Sequence, residues 1–473
     1  MLACSTGFLA TAGLGWRTLG KDGTRDRLVL RPEDFGARGD GVANDTTAFA
    51  MLSSALERAG GGTVALSART YLLGRQVRTN GPDHLLLGLP FLRLRGLRHG
   101  VRIEGNGAVL KAAPRLRFGA FRPDGLGALE TSLPYYDRRS LAIPYEAMIL
   151  VEDAQGPVSI TDLSLDGNME ELVVGGPWGD IGHQVPMSGI LLRNNQADEL
   201  IGRVRSYGHG LDGIMIDGAE DFGFDRRISG VVCEDNGRQG CSIIGGSGYV
   251  VEDSTFSRSG RGRIASAPGA GVDLEAEGGK SVTRIRFVNC RFLDNSGPGV
   301  LAESGPVDRI SFDNCLMVGT SAWSTWCRKP FMRHRGCTFV GAVANPHGSG
   351  TSDEAAWFDN CHFIDDPAAT GFSRAYLPRG RSGPIIDAGG SFEGGRNVLL
   401  RHSSVVCRHG GELPWTRHAI YEDCLMTQAS KQMAYPRGTY RGSTTIEGAV
   451  DLGGSIVAGE VDVNGRSLAS TQL

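Results

Sequence analysis

Val288-Asn289-Cys290-Arg291-Phe292 is the stretch that decides the fold, because it comes back. It returns as Asp313-Asn314-Cys315-Leu316-Met317, Arg335-Gly336-Cys337-Thr338-Phe339 and Asp359-Asn360-Cys361-His362-Phe363. The cysteines are spaced by 25, 22 and 24 residues. Self-similarity at a period of 20–30 residues is the signature of a solenoid, in which one structural unit stacks on the next. Upstream, Val251-Glu252-Asp253-Ser254-Thr255-Phe256 and Val231-Val232-Cys233-Glu234-Asp235-Asn236-Gly237 have the same shape. A cysteine that recurs at one repeat position reads as a buried stack of small side chains rather than a disulfide framework. The chain has no Cys-x-x-Cys pair for a zinc site.

A second register starts at glycines: Gly189-Ile-Leu-Leu-Arg193, Gly213-Ile-Met-Ile-Asp217, Gly240-Cys-Ser-Ile-Ile244, Gly271-Val-Asp-Leu-Glu275 and Gly299-Val-Leu-Ala-Glu303. The gaps are 24, 27, 31 and 28 residues. Each segment alternates as a short strand does, and no long helical pattern separates them. Strands at this interval stack as the coils of an all-β, single-stranded parallel β-helix. Gaps of unequal length are loops on one side, where a binding surface is built.

Outside the repeats, Asn44 or Asp45 is placed to cap a helix carrying Phe49, Leu52, Ala55 and Leu56 at helical spacing, ended by Gly60-Gly61-Gly62. Such a helix covers the open end of a solenoid. Here the residues carry a family likeness. Asp34-Phe-Gly-Ala-Arg-Gly-Asp-Gly-Val-Ala-Asn-Asp-Thr46, then Gly61-Gly-Thr-Val64 and Thr70-Tyr-Leu-Leu73, closely resemble the opening of pectate-lyase-like right-handed parallel β-helix proteins, as in rhamnogalacturonases and epimerases. That superfamily also includes polygalacturonases, pectate lyases and phage depolymerases. The likeness implies action on a polysaccharide without selecting the reaction. Ser67-Ala68-Arg69 stands where the family usually has a Pro-Ala-Gly turn.

The resulting organisation is a leader-like segment at 1–30, a cap and first coils at 31–115, an irregular insertion at 116–145, a β-helix core at 146–425 and closing strands at 426–473. Residues 1–16, MLACSTGFLATAGLGW, look like the apolar part of an export signal that has lost its basic start, and imply a periplasmic or secreted protein.

Composition excludes several classes. The 473 residues include 70 Gly, roughly 15% against an ordinary usage of about 7%. The glycines have no period of three and there are only 20 Pro, which removes collagen. With 49 basic and 52 acidic side chains the net charge is −3, so no global positive field draws nucleic acid to the chain. No apolar run is long enough to span a membrane.

Stacking the glycine register places Asp217, Ile244, Glu275 and Glu303 in one outward column and Met215, Ser242, Asp273 and Leu301 in its neighbour, with Asp212 at the preceding corner. Asp273 and Glu275 then lie roughly 6.7 Å apart, and Asp217 and Glu275 about 9.6 Å. Inverting glycosidases hold their two carboxyl groups about 6.5–9.5 Å apart. We therefore take Asp217, Asp273 and Glu275 as the expected acid–base set of a glycoside hydrolase, with Asp212 and His209 in support. Gly208-His209-Gly210 resembles the Gly-His-Gly of polygalacturonases, and Arg284-Ile285-Arg286 their Arg-Ile-Lys, although the upstream Asn-Thr-Asp element and paired Asp of that family are absent. Tyr207, Arg238, Lys280, Arg328, Lys329 and Arg335 are candidates to meet uronate carboxylates. Trp178, Trp323, Trp326 and Trp415 are candidates to stack on sugar rings.

Two other readings stay open. A polysaccharide lyase or C5-epimerase acting on a uronate polymer would use a His209, Tyr207, Arg238 or Lys280 base. A non-catalytic carbohydrate-binding or tailspike-like protein would need neither acid nor base. No cofactor is expected, although a column of carboxylates could also hold calcium.

Overall fold

The computed structural model describes residues 28–78, 86–88, 90–118, 145–175, 184–221, 223–369, 374–388 and 394–468. The leader-like residues 1–16, most of the expected insertion and Trp178 lie outside the described residues.

One turn of the solenoid shows how the rest is built. The chain runs along Ser188–Arg193, turns at the buried Asn195, and runs along Glu199–Gly202. It then bends through Arg203 at φ 52°, runs along Arg205–Tyr207, and turns through Gly208-His209-Gly210 into Ile214–Asp217 of the next coil. Strands at the same point of successive coils pair in parallel. The first leg of each coil forms a narrow sheet, ordered among the described residues from Leu92–Arg95 through Ala147–Glu152, Ser188–Arg193, Ile214–Asp217, Cys241–Ser247, Val272–Leu274, Val300–Ala302, Thr325–Cys327 and Val343–Ala344 to Ile386–Asp387. The second and third legs make up the wide sheet. The fold is a parallel β-helix, as the repeats imply.

The recurring Asn-Cys has a backbone cause. A single residue in the left-handed region joins the second leg to the third, and Asn, Asp and Gly pay least for that conformation. Asp253, Asn289, Asn314, Gly336, Asn360 and Asp423 occupy it, with φ from 51° to 63°. The next side chain turns inward at the corner, where little volume is left. Cys290, Cys315, Cys337, Cys361 and Cys424 fill that position, are buried, and donate Sγ–H to a carbonyl of the previous coil, as Cys337 does to Phe312 at 3.3 Å. The nine described cysteines are all free and buried. Cys233 corrects the sequence phasing. It pairs with Ser206 and Phe256 inside the third leg, and Val231 takes the corner position instead.

Inward positions stack into ladders. Phe287, Phe312, His334 and Phe358 lie face to face with centroids 5.0, 5.0 and 4.6 Å apart. Each such buried ring contributes on the order of 1.5–3 kcal/mol of transfer free energy.

Helix α1 (Thr46–Ala59) packs Phe49, Leu52 and Leu56 onto the first coil. Asp45 is its N-cap residue, but its carboxylate accepts from the Arg38 and Gly39 amides rather than from the helix. Asn44 serves the helix start, accepting from Thr46 N at 3.1 Å. Gly60 ends α1 in the left-handed conformation, φ 75°. At the other end of the solenoid the strands close in an antiparallel hairpin, Glu460–Val463 with Arg466–Leu468.

Candidate functional site

The outer face of the narrow sheet holds several of the candidate residues. Ile190, Ile214, Cys241, Val272 and Val300 point into the core, so their strand neighbours point out. The pairing Leu191–Met215–Ser242–Asp273–Leu301–Trp326 makes one continuous outward row, as the alternation implies. Its first members are covered: Leu191 and Met215 form a small apolar cluster with Ala147, Leu150, Leu211 and Ile244, against which Tyr145 packs.

The neighbouring row expected from the sequence is broken. A register shift between Ile216 and Asp217 sets Asp217 opposite Gly245, and Ile244 leaves the ladder for the apolar cluster. Glu275 and Glu303 lie just beyond the strands Val272–Leu274 and Val300–Ala302. An extra residue in one strand displaces every side chain after it, and the spacing of glycines does not reveal it.

Asp212 is fully buried at the corner and accepts from Arg238 Nε at 2.9 Å, Arg238 Nη2 at 2.7 Å and Ser242 Oγ at 2.7 Å. Asp273 is only 3% exposed and accepts from Gln239 Nε2 at 2.6 Å. The single hydroxyl hydrogen of Ser242 is shared between Asp212 and Gln239 Oε1, so Ser242 and Gln239 bridge the two carboxylates. The Arg238 guanidinium lies 5.7 Å from the centre of the Tyr145 ring, and Tyr145 donates to Glu277 Oε1 and Oε2 at 3.0 and 3.1 Å. Glu275 is half-buried between Asp273 and Glu277 in the sequence.

Burial and like charge set the protonation here. Desolvation, then the charges of Glu275, Asp212 and Glu277, push the Asp273 carboxyl up to about 8 against the pull of Arg238. Glu277 is also pushed up, first by burial and then by Glu275, while its Tyr145 hydrogen bond acts the other way. Burial drives the Tyr145 phenol up. Arg238 stays charged because Asp212 more than offsets its own burial.

The other expected site residues fall elsewhere. Asp217 is paired on both sides, with Arg193 Nε at 3.1 Å and with Lys280. Lys280 also donates to Asn194 Oδ1 at 2.8 Å, so this pair is a surface clasp beside the row. His209 is fully enclosed, close to Gly189, and burial pushes it down to about 4, so it is neutral at neutral pH. Tyr207 belongs to the wide sheet, paired between Asp166 and Glu234, with the Arg205 guanidinium 4.2 Å from its ring centre. Arg335 is also on the wide sheet, 3.4 Å from Asp313. Arg328 pairs with Glu303 at 3.1 Å and Lys329 donates to Gly305 O at 2.7 Å. Trp326 stands two coils from Asp273 in the same row, with Trp323 edge-on to it at 6.0 Å.

Tyr145, Gln239 and Glu277 were not among the expected site residues. Glu277 was legible, since Asp273-Leu-Glu-Ala-Glu277 alternates acids. Tyr145 and Gln239 carry no such signal. Among the described residues no group of three or more His, Cys, Asp or Glu side chains is arranged to hold a metal ion. No described helix is long and apolar enough to cross a membrane.

The chain has a right-handed parallel β-helix fold, and residues 149–345, which contain the row and its acids, match the family model "Right handed beta helix region". Among solved structures it is similar to the A-module of mannuronan C-5 epimerase AlgE4 from Azotobacter vinelandii, at TM-score 0.52 and 15% identity over 84% of this chain and 95% of that one. It is similar to the AlgE6 A-module of the same organism at TM-score 0.52 and 13% identity, over 92% and 98%. At these identities the likeness is one of fold. No curated protein matches the chain.

Proposed function

We propose that the protein is a polysaccharide-active enzyme, and that its reaction is glycoside hydrolysis by a carboxyl pair on the outer face of the narrow sheet. The observation that carries this reading is Asp273, a carboxyl whose burial and acidic neighbours keep it largely protonated near neutral pH. A proton donor at that pH is what a glycosidic leaving group needs.

Two carboxyls in different environments divide the work. Asp273, held by Gln239, donates its proton to the glycosidic oxygen. Glu275, half-exposed two residues further along the chain and just past the strand end, activates the attacking water. Arg238 and Asp212 are positioning residues: their buried pair sets the charge around Asp273. Trp326 supplies a flat apolar surface further along the row.

The similarity to C-5 epimerases supports a second reading, proton abstraction from a uronate. That chemistry needs a base and a cation free to meet the carboxylate. Tyr145 is the base candidate on this face, but its phenol is driven up and donates to Glu277. Arg238 already spends two donors on Asp212. These observations rank hydrolysis first.

The test is incubation of the protein with a panel of neutral and acidic polysaccharides. New reducing ends without unsaturated-uronate absorbance support hydrolysis. Both signals together mean a lyase. Altered uronate composition by NMR without chain cleavage means an epimerase, and either result displaces the hydrolase reading.

A further inference from the structure

The row that carries Asp273 does not end at Trp326. Trp326 pairs with Ala344, Ala344 with Asp387, and Asp387 with Trp415. Trp415 is thus five coils from Asp273 in one line, about 24 Å at the usual strand spacing. There the surface opens into a cavity of about 570 Å³ lined by Arg379, Asp387, Trp415, Arg417, Tyr435 and Arg437 with neighbouring prolines and Thr416. That volume is in the range of small-ligand pockets.

The lining has three guanidinium groups against one carboxylate, Asp387, and two of the three lie over rings. Trp415 and Tyr435 meet edge to face, centroids 5.2 Å apart at 85°. Arg379 lies over the Trp415 ring at 4.4 Å and Arg437 over the Tyr435 ring at 5.2 Å. Of the stacked pair, Arg379 meets the Glu412 carboxylate at 3.5 Å and Arg437 the Asp451 carboxylate at 2.5 Å. Glu412 and Asp451 are not part of the lining. One such contact leaves most of the five N–H donors of each guanidinium unspent. Stacking fixes the guanidinium plane beforehand, so little side-chain entropy is lost when a planar acceptor binds its edge. The acceptor that matches this edge is a carboxylate. Among the described residues, moreover, Trp415 Nε1 and Arg437 Nε are buried donors with no acceptor.

We infer that this cavity is a distal subsite for a carboxylate-bearing sugar, so that the substrate is an acidic polymer lying along the row from Asp273 past Trp326 to Trp415. The inference rests on the polysaccharide reading above and specifies the charge of its substrate.

The test is titration calorimetry of the full chain with a uronic-acid hexasaccharide, its carboxyl-reduced counterpart and a sulfated hexasaccharide. Arg417 is exposed, so Arg417→Ala leaves the fold intact; Arg379→Ala is the second variant. Expected are at least tenfold weaker uronate binding by both variants and tenfold weaker binding of the reduced sugar to the wild type. Unchanged affinity in both arginine variants overturns the inference, as does tighter binding of the sulfated sugar. Arginine-dependent binding with no turnover sinks the hydrolase reading alone. Turnover with no arginine dependence sinks this inference alone.

Discussion

Arg238 closes on Asp212 through two parallel hydrogen bonds, 2.9 and 2.7 Å long, and both side chains are almost wholly removed from solvent. The pair sits under Tyr145 and beside Asp273, so it couples the fold of the corner to the charge of the site. Removing one partner of a buried pair leaves the other charge uncompensated. Asp212→Asn and Arg238→Met should each lower unfolding free energy by about 3–5 kcal/mol. The double variant should lose less than the sum, which denaturant unfolding of all three will measure.

Asp273 should behave as an acid that must hold its proton. Its carboxyl is pushed up to about 8, so the protonated form dominates at lower pH and disappears above that value. On the productive polysaccharide, kcat/KM should fall as pH rises through about 8. Asp273→Asn should lose at least a hundredfold in kcat, in line with the 10²–10⁴ supplied by general acids. Its melting temperature should hold or rise, because a carboxyl whose ionisation is opposed by burial is gone.

His334 should make the protein weaken in acid. Its ring is the third member of the aromatic ladder, and burial pushes it down to about 4 from an ordinary 6.5. The neutral ring belongs to the folded state. Its contribution is therefore complete above about 6.5 and is lost as pH falls toward 4, a change on the order of 1–3 kcal/mol. His209 adds a loss in the same window. His334→Phe keeps the stack and removes the proton. Thermal melts at pH 7 and pH 4.5 should show a smaller drop for the variant than for the wild type.

Trp326 should act on binding more than on chemistry. It stands two coils from Asp273, about 9.6 Å along the row. Trp326→Ala should raise KM several-fold with kcat changed less than threefold. An equal loss in both would place the ring at the reacting centre.

The thiols should be silent in the native state. Nine cysteines are buried and free. Titration with an aromatic disulfide reagent should therefore label at most one thiol, Cys4 being outside the described residues, until denaturant is added. Rapid native labelling of Cys290, Cys315, Cys337 or Cys361 would contradict the corner stack.

Much of the fold was legible because a solenoid repeats its local rules. The corner needs a left-handed residue followed by a small inward one, and Asn314-Cys315 and Asn360-Cys361 display that need openly. The helix and its Gly60 stop were legible for the same reason, since capping is local. Legibility failed where one residue changes register. Ile244 looked like a strand position and is a bulge. It failed also where an aromatic or polar side chain arrives from outside the repeat, as Tyr145 does at Glu277 across 132 positions of sequence.

The amino-acid order alone determined that the chain winds into stacked parallel coils, and that Ser242, Asp273 and Leu301 share an outward row. Those features follow from period and alternation, which backbone geometry enforces one coil at a time. Which acids are paired, which are buried and which hold a proton was decided only by the tertiary structure. Asp217 is neutralised by Arg193 and Lys280, Asp212 by Arg238, and Asp273 is left among like charges. Charge and burial depend on neighbours from other coils and from the connecting segments, and no local pattern encodes those distances.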